Sequence, residues 1–265
     1  MRIAWLSDIH LNFVHHHRIE TFSREVAESS AEAVLISGDI SEAPYLKEHL
    51  NIMANIIRFP IFFVLGNHDF YRSSIDRTLY LAGEISSNSG NLVWLTGEMV
   101  VRLTNRTVLI GHESWNDGRI GDYKNSPYTP ADYFMIEDFM GLKKDEKLKL
   151  MQSLADRAAD HFKINLPKAC QEAENVILLT HVPPFREACW YNGKISDDDH
   201  QPYFASKIVG DTIREIMHEF PAHNLTVYCG HTHGGGKAQV LHNVKVYTAE
   251  AEYEKPSIQR IEGIK

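Results

Sequence analysis

Short apolar runs alternate with stretches of helical periodicity along the first quarter of the chain. "RIAWL" at 2–6, "AVLIS" at 33–37 and "IFFVL" at 61–65 are continuous runs of strand length. Between the first two, Ile19, Phe22 and Val26 recur at the spacing of one helix face, and Leu46, Leu50, Met53 and Ile57 repeat that spacing before the third. Strand, helix, strand, helix, strand predicts a parallel sheet with right-handed crossovers.

The pattern then changes. "NLVWL", "EMVVRL" and "TVLIG" come one after another with short turns and no helix between them, which predicts antiparallel strands. Residues 114–142 show little periodicity and many Tyr, Asp, Asn and Pro, the mark of a long functional or packing loop. Leu148, Met151, Ala155, Ala158 and Phe162 share one helix face, and Pro167 suits the first turn of a second, short helix. "NVILLT" reads as a strand, 190–204 as a polar loop, 206–220 as a helix, and "LTVYC" and "VKVYTA" as closing strands. With no repeat, low-complexity tract or linker, residues 1–265 read as one α/β domain.

The residues just after each apolar run carry the chemistry. Asp8 and His10 come after the first, Asp39 after the second, and Asn67 and His68 after the third. His181 comes after "VILLT", and His231 and His233 after "TVYCG". Each piece alone has an ordinary reading: a helix cap at Asp8, a turn at "SGD", a turn at "GNHD". Five strands that all end in metal-binding side chains do not. The carboxyl ends of strands are where ligands sit in open α/β sheets, and a strand end holds its side chains at a rigid point.

The donor set selects its metals. Two carboxylates, one amide oxygen and four imidazoles mix hard and borderline donors, which suits Mn, Fe or Zn better than Ca or Mg. Seven donors exceed one tetrahedral ion and suit two ions that share a carboxylate. Two divalent ions, two aspartates and a bridging hydroxide leave a net charge of about +1 to meet an anionic substrate. That matters in a chain of net charge −8, which has no basic surplus for long nucleic acid or an acidic membrane surface. Three cysteines, Cys170, Cys189 and Cys229, share no metal-like spacing, and the N-terminus shows no signal-peptide pattern, so a reducing cytoplasm is the expected compartment.

In order, "SDIH", "GD", "GNHD", "THVPP" and "GHTH" resemble the motifs of the calcineurin-like metallophosphoesterases, from Asp8 to His233. The resemblance implies a four-layer α-β-β-α sandwich of two mixed sheets with a dinuclear metal centre at the sheet edge. It further implies that Asp8, His10 and His233 hold one ion, Asn67, His181 and His231 the other, and that Asp39 bridges them. A hydroxide between the ions would attack phosphorus in line, and His68 would stabilise the transition state and protonate the leaving oxygen. Two positions depart from the pattern. Glu42 stands where many relatives carry the aspartate that orients the catalytic histidine, so Glu42, Asp69 or another group takes that role. Ala43 and Pro44 stand where phosphoprotein phosphatases carry a phosphate-clamping arginine, which argues against that branch.

The expected activity is therefore metal-dependent hydrolysis of a small phosphodiester. A phosphomonoesterase is the alternative, and a non-catalytic scaffold or a metal store would leave His68 and the full donor set without a purpose. Arg72 and Arg186 are candidate phosphate contacts and equally ordinary surface charges. His15, His16 and His17 read as a solvated loop near the site mouth, His112 as structural, and Trp115 and Asn116 as pocket or core.

Overall fold

The computed structural model describes residues 1–98 and 100–265. The strands β1 (Arg2–Leu6), β2 (Ala33–Ser37) and β3 (Ile61–Val64) pair in parallel. The connecting helices are α1 (His16–Ala27) and α2 (Ala43–Ile56), as the periodicity predicts. After β3 the order differs from expectation. Helix α3 (Ile75–Ser87) intervenes, and β4 (Leu92–Trp94) joins β3 in parallel. Ser74 caps α3 by accepting the Arg77 N–H, and Ile75, Thr78, Ala82 and Ile85 form its buried stripe. The run "NLVWL" is therefore the last parallel strand of the first sheet, with a helix before it.

"EMVVRL" contains Met99, which lies outside the described residues. Within it, β5 (Val101–Arg102) pairs antiparallel with β6 (Thr107–Gly111), as expected for that pair. Residues 114–142 are largely irregular and include the short helix α4 (Asp132–Met135). One long helix, α5 (Lys144–Glu172), then runs straight through Pro167, where two helices were expected. The buried stripe explains this: Phe162, Leu166, Ala169 and Cys170 continue across the proline and pack beside the later helix α7 (Lys207–Glu219). That burial outweighs one lost helical hydrogen bond, and the carbonyl left without it belongs to exposed Lys163.

Strand β7 (Asn175–Leu179) leads to a hairpin of β8 (Trp190–Tyr191) and β9 (Lys194–Ile195), then to α6 (Gln201–Phe204) and α7. The remaining strands are β10 (Asn224–Cys229), β11 (Gly236–Leu241), β12 (Val244–Thr248) and β13 (Arg260–Gly263). The first sheet has the order β13-β1-β2-β3-β4 and the second β11-β12-β10-β7-β6-β5. In both, the inner pairs are parallel and the antiparallel strands β13, β11 and β5 lie at edges. Side chains alternate along each strand. Ile3, Trp5, Leu35, Phe62 and Val64 meet Leu109, Ile177, Leu179 and Tyr228 between the sheets, where the Trp5 and Tyr228 rings lie 4.7 Å apart. The opposite faces bury against α1, α2 and α3 on one side and α5 and α7 on the other. This is the four-layer α-β-β-α sandwich.

Among the described residues, no helix is long and apolar enough to cross a membrane, and all three cysteines are free and buried.

Replacing Pro167 tests the account of α5. Pro167→Ala restores a backbone donor in a helix that already holds its course, so a stabilisation of about 1–2 kcal/mol is expected. Thermal unfolding should show it as a midpoint several degrees higher, and an unchanged or lower midpoint would count against it.

Candidate metal centre

The carboxyl ends of β1, β2 and β3 in one sheet and of β7 and β10 in the other meet at a common edge. Two hydrogen bonds tie the sheets together there. The His181 Nδ1–H donates to the Ser37 carbonyl at 2.9 Å, and the His231 backbone N–H donates to Asp8 Oδ1 at 2.9 Å. Every donor named from the sequence lies at this edge.

The donors form two groups. Ligand atoms of Asp8, His10, Asp39 and His233 all lie within 4.8 Å of one another. His10 Nε2 is 3.1 Å from His233 Nε2 and 3.8 Å from Asp39 Oδ2, while His233 Nε2 is 3.4 Å from Asp8 Oδ1. In the second group, Asn67 Oδ1 is 2.9 Å from His231 Nδ1 and 3.0 Å from His181 Nε2. Asp39 stands between the groups, with Oδ2 toward His10 and Oδ1 3.4 Å from His181 Nε2.

Hydrogen bookkeeping shows what the second group lacks. Carbonyls only accept, so His181 spends its Nδ1–H on Ser37, and His231 spends its Nε2–H on the Tyr203 carbonyl at 2.7 Å. The Asn67 amide NH₂ donates to Asp132 Oδ1 at 2.8 Å, which turns Asn67 Oδ1 toward both rings. Three acceptors then converge. A cation among them turns repulsion into ligation, and the donor set fits a metal ion. In the first group, His10 Nε2 and His233 Nε2 also face each other, and buried His10 Nδ1 has no partner.

The electrostatics agree. Burial would raise Asp8 and Asp39, but the hydrogen bond from His233 and the fields of His181, His233 and His10 hold Asp8 below its usual range, and the fields of His181, His68 and His10 hold Asp39 below its own. Burial lowers His10 to about 4, leaving it a neutral imidazole. His181 is also penalised by burial, yet Asp39 and Asp8 raise it overall. The site draws positive charge inward.

Local backbone strain places these groups. Asp8, His10, Asp39, His231 and His233 all have left-handed backbones, with φ of 49°, 40°, 50°, 72° and 58°. Each costs about 1–2 kcal/mol for a residue other than glycine. Gly38, at φ 91°, has the conformation that glycine alone adopts freely. Gly66 answers a steric demand: a Cβ there would lie 2.2 Å from Asp39 Oδ1.

The turn at 66–71 orients His68 in an unexpected way. Glu42 does not reach it: its carboxylate meets Arg72 Nε at 3.0 Å and accepts from Asn12 Nδ2 at 3.3 Å. Asp69 turns the other way and accepts the Gly66 and Ser41 N–H groups at 2.8 and 2.7 Å, bracing the turn. Burial and nearby Asp39 push Asp69 up to about 7 despite those bonds. His68 is held by packing, stacked 4.3 Å from the Tyr71 ring. Its backbone N–H donates to Asp39 Oδ1 at 2.8 Å, and its Nε2 lies 3.9 Å from Asp39 Oδ2. The Tyr71 hydroxyl donates to Asp132 Oδ1 at 2.8 Å, the same oxygen that holds Asn67. Arg72 and Asn12 hold the Glu42 carboxylate, and the Tyr71 ring packs on His68 instead.

Other sequence candidates lie elsewhere. Arg72 pairs with Glu42 and Arg186 with Asp198, and neither lines the cleft over the centre. His15, His16 and His17 are exposed at the start of α1. His112 is half-buried beside His161, accepts the Ser114 N–H at 3.0 Å, and lines a different cavity together with Trp115. Burial lowers it to about 4. Sequence reasoning missed Asp132, Tyr71, Tyr191, Tyr203 and Tyr253. The "YNGK" at 191–194 did carry a hairpin signal, with Asn192 and Gly193 at φ 49° and 74°. Asp132 and Tyr253 carried none.

The family model for calcineurin-like phosphoesterase matches residues 1–235. No curated protein matches the chain. Among solved structures, a phosphopantetheinyl hydrolase from Mycobacterium tuberculosis is similar at 14% identity and a TM-score of 0.64, over 95% of this chain and 89% of that one. A dimetal phosphatase from Danio rerio is similar at 13% identity and a TM-score of 0.59, over 97% and 89%. At such identities the likeness is one of fold.

Gly66→Ala should drive its new methyl into Asp39 and displace either the carboxylate or the turn. The expected cost is about 1–3 kcal/mol of stability, read by urea unfolding, with weaker metal uptake. A variant as stable as the parent would show that the contact relaxes freely.

Proposed function

The chain belongs to the calcineurin-like phosphoesterase family, and from that premise we propose that it hydrolyses a small phosphodiester at a centre of two metal ions. Asp8, His10 and His233 hold one ion, and Asn67, His181 and His231 hold the other. The observation that carries this reading is Asp39, whose two oxygens face the two donor groups. The ions are Mn, Fe or Zn, given the imidazole share of the donors.

When bound, the two ions supply positive charge for the phosphoryl oxygens and an activated water for in-line attack. The chain's own residues do the rest. Asp39 and Asp8 fix the charge of the centre, and burial keeps His10 neutral and free to ligate. His68 stands beside the centre with its ring fixed by Tyr71, and it delivers the proton that the leaving oxygen needs. The Asp132 carboxylate positions both Asn67 and Tyr71, so the second ligand group and the acid are set by one anchor. Among the described residues no lysine or arginine lines the cleft, which favours the single charge of a diester over the double charge of a monoester. Residues 1–265 act here as one domain on a small-molecule ester. Neither long nucleic acid nor a membrane is the expected partner, and the reducing cytoplasm remains the proposed setting.

Metal-stripped protein should take up about two Mn per chain, and Asn67→Ala about one; equal uptake by the two would overturn the division of ligands.

Reloaded protein should hydrolyse bis(p-nitrophenyl) phosphate faster than p-nitrophenyl phosphate, and the reverse order would make it a phosphomonoesterase. If His68 is the acid, His68→Ala should cost roughly 10²- to 10⁴-fold on an alkyl leaving group. The cost on p-nitrophenolate, which departs without a proton, should be much smaller. Equal losses on the two would assign His68 to phosphate stabilisation instead.

A further inference from the structure

The cleft above the metal centre has a volume of about 250 Å³ and an unusual wall. Its lining includes the five rings of Tyr71, Tyr191, Tyr203, Phe204 and Tyr253 and the carboxylate of Asp132, with no lysine or arginine among the described residues. The two arginines nearest in sequence to the motifs are committed to Glu42 and Asp198. A second phosphate or a carboxylate on the substrate would therefore find no cation in the cleft beyond the metals and their imidazoles.

Two of the rings are mounted on built supports. Tyr253 sits at a tight turn in which the Lys255 N–H donates to the Glu252 carbonyl at 3.2 Å, with Glu254 at φ 68°. The Ala251 N–H donates to the His233 carbonyl at 3.2 Å, which ties this turn to the metal motif. The ring lies 4.6 Å from His10, 4.9 Å from Phe13 and 5.2 Å from His233, yet Tyr253 remains 45% exposed. A large ring held beside two metal donors and left open to solvent is a surface awaiting a partner. Tyr191, in the hairpin of β8 and β9, is braced by His200 at 5.1 Å and Phe204 at 5.4 Å. Tyr253 lies beyond the residues that the family model matches, 1–235.

Resting on the phosphodiesterase reading above, we infer that the ester group retained beside phosphorus is an uncharged aromatic ring, an aryl group or a nucleobase, which stacks on Tyr253 and the wall at Tyr191. Flat rings stack on tyrosine with little sequence or substituent preference, and no charge is needed. Polyphosphates and esters with a second anionic group meet no lysine or arginine on the same wall among the described residues.

The test holds the leaving group constant. Thymidine 5′-(p-nitrophenyl phosphate) and methyl p-nitrophenyl phosphate break the same bond and differ only in the retained group. Mn-loaded protein should favour the thymidine ester, and Tyr253→Ala should reduce that preference, the ratio of the two kcat/KM values, about tenfold through KM. Tyr253→Phe should keep it, and Tyr191→Ala serves as the second variant if Tyr253→Ala does not fold. A second readout needs no turnover: in saturation-transfer NMR on metal-stripped protein, the thymine protons of thymidine 5′-methyl phosphate should receive saturation, and lose it in Tyr253→Ala. Hydrolysis of both esters with a preference that no variant moves would overturn the inference and leave the phosphodiesterase reading intact. Failure to hydrolyse either ester would strike the reaction, and the NMR result would still decide whether the cleft takes a ring.

Discussion

The buried carboxylate of Asp39 is the constraint on which this structure turns. At 1% exposure it has lost its water, and burial of that kind is costly unless charge is returned from nearby. One backbone N–H, from His68, provides part of it, and the imidazoles of His10, His68 and His181 lie within 3.9 Å of the carboxylate. None is a permanent cation. The remaining acceptors at the edge, Asn67 Oδ1 and the unprotonated nitrogens of His181 and His231, add to the deficit. The protein is built to be completed by positive charge, and the location of that deficit defines the active centre.

The sandwich exists to present this deficit at a fixed place. Its two sheets are joined by apolar contacts such as Trp5 on Tyr228, and at their carboxyl ends by the bonds from His181 to Ser37 and from His231 to Asp8. Donors from one sheet are thereby referenced to donors from the other. The left-handed backbones at five of the seven donors would unravel in an isolated loop, at about 1–2 kcal/mol each. Anchoring each to the end of a buried strand is what makes the strain tolerable, and metal binding would repay it further.

Much of this was legible in the sequence because a strand end converts chain order into position. A run such as "FFVLG" is recognisable as a buried strand, and the next polar residue has few places to go. Asp8, His10, Asp39, Asn67, His68, His181, His231 and His233 were named that way, and the structure brings them to one edge. What escaped was of two kinds. Helix α3 and strands β11 and β13 escaped because their apolar patterns are short or mixed with polar positions, although the Ser74 cap was available as a signal. Asp132 and Tyr253 escaped for a deeper reason. Asp132 reaches the centre from the start of the short helix α4 and Tyr253 from an irregular segment, and only tertiary packing gives Asp132 its two donors or Tyr253 its place beside His10. The Glu42 expectation failed similarly: motif position suggested contact with His68, but Arg72 and Asn12 hold that carboxylate.

This division reflects the roles of the residues. Groups that must hold a metal need sub-ångström placement, which strands provide, and strand periodicity is readable. Groups that select the retained half of a substrate need only present a face, and a turn or hairpin suffices for Tyr253 and Tyr191. Loops accept change without disturbing the core, so the same centre can serve many esters by exchanging its rim. Chemistry is written in the strands that a sequence reveals, while selectivity is written in segments whose meaning appears only after folding.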